Sequence, residues 1–116
     1  MLNINQAQTY EQDIQAMYDI ISSVYHIKRI EVDNLITLHQ DDFLKPKVQQ
    51  SYNDILSSHV EYVYNLLSKH YKTKVLSKYF STEGILLTIR NLLDVRYIDQ
   101  FNEFSRLDNK FEHVER

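Results

Sequence analysis

Between Glu61 and Glu83 four lysines, Lys69, Lys72, Lys74 and Lys78, occur without a single acidic residue, interleaved with His70, Tyr71, Tyr79 and Phe80. Ammonium groups attract phosphate or carboxylate, and tyrosines stack on bases or anchor protein interfaces. A net charge of −3 over the whole chain disfavours a duplex-binding role, which needs a dominant basic surface to displace condensed counterions. The expected partner is therefore a protein with an acidic surface, contacted by Lys69, Tyr71, Lys72, Lys74, Lys78 and Tyr79. The competing reading makes these lysines complements of a helix C-terminal dipole and sends the aromatics into the core.

Other chemistry is harder to assemble. Among the five histidines, only His39 has an acidic residue at helical ligand spacing, Asp42, and two ligands do not complete a tetrahedral site. His59 and His70 fall on an apolar stripe, where a buried imidazole needs hydrogen-bond partners and loses basicity through desolvation. Asp99, Glu103, Asp108 and Glu112 could crowd carboxylates along one side of the terminal segment for divalent-ion chemistry. Arg96, Arg106 and Lys110 among them instead indicate surface ion pairs. A nucleophilic serine or threonine would need an oriented base and an oxyanion hole, usually on a glycine-flanked turn. The lone glycine, Gly84, leaves no phosphate loop or dinucleotide fingerprint. With no cysteine, disulfides, thiolate catalysis and zinc-thiolate sites are all excluded. The expectation is a non-enzymatic protein without cofactor or metal.

One segment invites comparison with a known family. Arg90-Asn91-Leu92-Leu93-Asp94-Val95-Arg96-Tyr97 resembles the Arg-Asn, then His, then Tyr signature of HEPN ribonucleases, which are small dimeric helical bundles. The resemblance implies RNA cleavage involving Arg90, Asn91 and Tyr97. Val95 stands where the family has its histidine, and this departure removes the chemistry that the histidine would support. Arg106 and His113 in the terminal segment also have a permitted spacing, although the apolar Leu107 follows the arginine. A nucleic-acid-acting helical protein is accordingly the alternative reading.

The elements that must carry these residues are helical. One glycine and one proline in 116 residues leave few places for sharp turns. Tyr10, Ile14, Met17, Tyr18, Ile21, Val24 and Tyr25 follow helical steps, predicting a helix over about residues 5 to 26 with Asn5 or Thr9 as its cap. Residues 27–40 are ambiguous, because Ile27, Ile30, Val32, Leu35, Ile36 and Leu38 scatter around the helical wheel. A short helix after Asp33 is favoured over a hairpin turning at Asp33-Asn34. Pro46 suits a first helical position. From there Val48, Tyr52, Ile55, Leu56, His59, Val63, Leu66 and Leu67 line the helix expected to be longest, over 46 to about 72. Tyr62 and Tyr64 widen its apolar arc and are the candidates for self-association. Ser81 and Glu83 open a last helix, with Asp94 available to cap a restart.

The resulting expectation is an all-α antiparallel bundle of three to five helices with one long central helix. It occupies residues 1–116 as a single domain, with a frayed tail from about 112. No secretion signal or spanning segment is read from the sequence, so no membrane association and a cytoplasmic location are expected. Abundant Ile, Asn, Lys and Tyr fit an AT-rich genome, such as a low-GC bacterium or its phage. Small regulators, inhibitors, antitoxins, immunity proteins and assembly adaptors are the functional classes that match.

Overall fold

The computed structural model describes the backbone of residues 2–115 and the side chains of residues 9–104. Four helices follow in order: α1 (Leu2–Leu38), α2 (Pro46–Lys69), α3 (Lys72–Leu76) and α4 (Thr82–Glu115). Among the described residues there is no strand. Cross-helix contacts give the directions. Glu31 and Lys28 of α1 meet His59 and Tyr62 of α2, so ascending positions on one match descending positions on the other. Ser57 and Tyr52 of α2 meet Arg90 and Asp94 of α4 in the same antiparallel sense. Ser22 and Arg29 of α1 meet Arg96 and Gln100 of α4 in a parallel sense. The long helices therefore form an up-down-up bundle, with α3 across the α2–α4 connection.

The core follows the stripes read from the sequence, except that Tyr10 and Tyr18 of the first stripe are exposed. Met17, Ile21, Val24, Val32 and Ile36 of α1 are buried, as are Val48, Tyr52, Leu56, Val60, Val63 and Leu67 of α2. Leu76 of α3 and Ile85, Ile89, Leu93 and Tyr97 of α4 complete it. Burying one such aliphatic side chain contributes roughly 1.5–3 kcal/mol before conformational entropy is charged against it.

Three boundaries depart from expectation. Instead of ending near residue 26, α1 runs unbroken to Leu38, which removes the hairpin and the separate short helix. Val32 and Ile36 extend the buried stripe by single turns, while Ile27, Ile30 and Leu38 are exposed and explain the scattered pattern. The i,i+3 pair Lys28–Glu31 and the i,i+4 pair Arg29–Asp33 run along this stretch. At 37 residues against 24, α1 is longer than α2, which was expected to be longest. Nor does α4 restart at Asp94: that carboxylate accepts a hydrogen bond from the Tyr52 hydroxyl across the α2–α4 seam at 2.5 Å. The helix start expected at Pro46 and the cap expected at Ser81 are present. Pro46 opens α2, and the Ser81 hydroxyl accepts from the Gly84 N–H at 3.0 Å. The tail expected to fray lies beyond the described side chains.

Candidate interaction surface

At one end of the bundle the chain leaves α2, turns, forms the single turn and a half of α3 and enters α4. His70 closes α2 with its N–H donated to the Leu66 carbonyl at 3.1 Å, and the Tyr71 N–H goes to the Ser68 carbonyl at 3.0 Å. To make this reversal Tyr71 takes φ 61° and ψ 17°, the left-handed conformation that glycine usually supplies just past a helix end. It is the one non-glycine residue with positive φ among those described. For an L-residue that conformation costs about 1–2 kcal/mol, and the Tyr71 side chain recovers little of it by burial, being 76% exposed.

The rest of the corner is anchored from below. Leu76 is completely buried, and Phe80 packs against the core. Tyr79 folds back onto α1, where its hydroxyl donates to Asp13 Oδ2 at 3.1 Å and its ring meets Tyr10 edge-on at 4.8 Å. These contacts hold α3 in place while Lys69, His70, Tyr71, Lys74 and Lys78 stay exposed and Lys72 is half-buried. None of the four lysines makes an ion pair among the described residues. The six residues expected to form a contact surface thus divide. Lys69, Tyr71, Lys74 and Lys78 are exposed along the α2–α3 corner and Lys72 is half-buried, whereas Tyr79 is engaged with α1.

The two tyrosines expected to mediate self-association are not brought together. Two positions apart on a helix, they point about 200° apart around its axis. Tyr62 faces α1, with the Lys28 ammonium 4.8 Å from its ring centroid, and Tyr64 packs against the core.

The buried polar groups sit elsewhere. His59 is 1% exposed, with Nε2 3.1 Å from Glu31 Oε2 and Nδ1 2.7 Å from the Tyr97 hydroxyl. A carboxylate only accepts, so Nε2 carries the proton and Nδ1 accepts from Tyr97. Burial pushes the imidazole below its ordinary 6.5, against the opposing pull of the Glu31 hydrogen bond and charge. Burial likewise raises the hydroxyls of Tyr97 and Tyr52, the latter helped by the bond to Asp94, so both remain neutral donors. Gln100 closes the α1–α4 seam, accepting from Tyr25 at 3.4 Å and donating to the Arg29 carbonyl at 3.2 Å and to Asp33. Among the described residues every buried side-chain N or O has a hydrogen-bond partner. Each of these groups is thus occupied in locking the helices together.

No protein-family model, curated protein or solved structure matches this chain.

The other sequence-derived candidates are dispersed. Arg90 is half-buried and donates to Ser57 Oγ at 3.3 Å, Asn91 and Val95 face solvent, and Tyr97 lies in the core. The residues of the HEPN-like stretch therefore point to three different surroundings. Arg106, His113, Asp108 and Glu112 lie outside the described side chains. His39 Nδ1 and Asp42 Oδ1 bond to one another at 3.0 Å in the α1–α2 connection. Among the described residues no three histidines or acids converge as a metal site, and no helix is long and apolar enough to cross a membrane.

One feature went unseen in the sequence. A cleft of about 400 Å³ opens on the α2–α4 seam, lined by Phe43, Tyr52, Asp94, Tyr97 and Phe101, with Leu44 and Ile98 at its mouth. Its one carboxylate, Asp94, is engaged with Tyr52. Nothing in the spacing of Phe43 and Phe101 announces that their rings stack at 4.5 Å, since they come from a loop and a distant helix.

Proposed function

We propose that this chain is a small non-enzymatic helical protein that acts by binding an acidic surface of a protein partner through the α2–α3 corner. The observation that carries this reading is Tyr71, a large aromatic in a left-handed backbone position, three-quarters exposed and surrounded in sequence by Lys69, Lys72, Lys74 and Lys78. Local strain that the exposed side chain does little to repay by burial supports a role for this position beyond folding. An exposed aromatic knob within a basic rim has the composition of an interface anchor, with the lysines steering an acidic partner and the ring supplying buried area.

The anchoring of α3 supports the same reading. Leu76, Tyr79 and Phe80 fix the corner against α1 and the core, so the surface is preorganised and little ordering is needed on binding. Regulators, inhibitors, antitoxins, immunity proteins and assembly adaptors all work in this way.

The test is reversal of Lys72, Lys74 and Lys78 to Glu together, followed by helicity and partner affinity. Intact helicity with lost binding supports the proposal, and intact helicity with unchanged binding removes this surface. Mixed RNA is the counter-probe. Its cleavage by the purified chain, lost on Arg90→Ala, would establish the nucleic-acid-acting alternative instead.

A further inference from the structure

Away from the α2–α3 corner, α4 carries an outward stripe with no helix over it among the described residues. Leu87, Asn91, Val95, Ile98 and Asn102 follow steps of four, four, three and four, all facing solvent, with Leu87 59%, Val95 57% and Ile98 47% exposed. A helix in a three-helix bundle normally keeps that face polar. Here Leu87, Val95 and Ile98 share it with Asn91 and Asn102, and a depression lies at each end of the same α2–α4 seam. One, of about 360 Å³, is formed by Val60, Leu86, Leu87 and Arg90. The other is the cleft of about 400 Å³ with Leu44 and Ile98 at its mouth. Leu44, at 77% exposure, projects beside that cleft.

We infer that this face binds a second copy of the same chain, α4 against α4 in antiparallel orientation. Two residue pairs on this side of α4 suit an antiparallel two-fold axis. Leu87 and Ile98 stand at equal distances on either side of a point between Leu92 and Leu93, and Arg90 and Asp94 straddle nearly the same point. A two-fold through that point sets Leu87 of one protomer over the Ile98 end of the other, twice. It also brings Arg90 toward the partner's Asp94, twice, because flanking positions on the same side meet each other in an antiparallel pair.

The two charges are free to do so. They lie one helical turn apart without pairing with each other: Arg90 uses one donor on Ser57, and Asp94 accepts from Tyr52. A guanidinium has five donors and a carboxylate about four acceptor sites, so capacity remains. Parallel pairing would put Arg90 beside Arg90 and Asp94 beside Asp94, and is disfavoured on charge. The exposed Leu44 and Leu87 then serve as knobs, and the two depressions as the holes that receive them.

The full chain is tested by light scattering across a concentration series, comparing the native sequence with Leu87→Glu. Because Leu87 is exposed, helicity should be unchanged. The expected result is a two-chain mass that falls to one chain in the variant. A native chain that stays monomeric throughout, or a dimer that Leu87→Glu leaves intact, overturns the inference. Orientation is read independently, since the chain has no cysteine of its own. Under oxidation, a mixture of Leu87→Cys and Ile98→Cys chains should give mainly the mixed disulfide. Either variant alone should cross-link poorly, its two sulfurs being separated by about 16 Å along the helix axis. Efficient cross-linking of each variant to itself would mean parallel pairing and refute the proposed geometry.

Discussion

Replacing Tyr71 by glycine should make the protein more stable while weakening its binding. In the left-handed conformation an L-residue is disfavoured by about 1–2 kcal/mol, and glycine removes that term. Against it stands the greater freedom of glycine in the unfolded chain, about 0.5–1 kcal/mol. At 76% exposure, with its hydroxyl in no hydrogen bond among the described residues, the tyrosine side chain adds little to offset the difference. The net expectation is a gain of about 0.5–1 kcal/mol, which for a domain of this size is a rise in Tm of roughly 2–4 °C. Urea titration followed by circular dichroism, alongside a thermal melt, measures both. Tyr71→Ala is the companion variant: it keeps the backbone strain, loses the ring, and should stay within about 0.5 kcal/mol of the native chain. Both substitutions should weaken partner binding. If Tyr71→Gly proved less stable than the native protein, the side chain would be supporting the fold, and the inference from strain to an interface role would fail.

Further outcomes follow from the core. Tyr97→Phe keeps the buried ring but strips the donor from His59 Nδ1, and should cost about 1–3 kcal/mol in a urea titration; a neutral result would mean that the hydrogen bond is not formed as described. The folded state lowers the pKa of His59, so it favours the neutral imidazole. The associated stability is present in full above the ordinary 6.5 and is lost as pH falls below it. Comparing unfolding free energy at pH 7.5 and 5.5 should therefore show a loss on acidification that His59→Gln reduces. An equal loss in both proteins would assign the acid sensitivity to other groups. Ser81→Ala removes the acceptor for the Gly84 N–H at the start of α4 and should destabilise by about 1 kcal/mol, read from the thermal midpoint.

The helices were legible wherever burial and periodicity agreed. Met17, Ile21 and Val24, or Leu56, Val63 and Leu67, recur at helical steps because one face of each rod meets its neighbours, and the sequence records that face directly. Residues 27–40 were not legible because Ile27, Ile30 and Leu38 are apolar yet exposed, which blurs the stripe that Val32 and Ile36 continue. Asp94 looked like a cap because aspartate is among the residues favoured at a helix N-cap. Its true role depends on Tyr52, 42 positions away, and no local pattern encodes such a partner.

The proposed interaction surface was half visible. The lysines stand out as a charge run, but whether Tyr71 and Tyr79 face out or in depends on a backbone reversal. The sequence offers no glycine for the left-handed position of that reversal, and Tyr71 takes it. Tyr79 turns inward because α1 offers Asp13 and Tyr10 at the matching height. Tyr62 and Tyr64 could never share a helical face, a geometric fact available from their spacing alone.

The most direct test of the α2–α3 corner is affinity capture from the cell of origin, with the native chain and the Lys72/Lys74/Lys78→Glu variant as parallel baits, scored for protein and for RNA. The account predicts a protein with an acidic surface that the native chain retains and the equally helical variant loses. Recovery of the same protein by both baits, or of RNA with no protein, would contradict it.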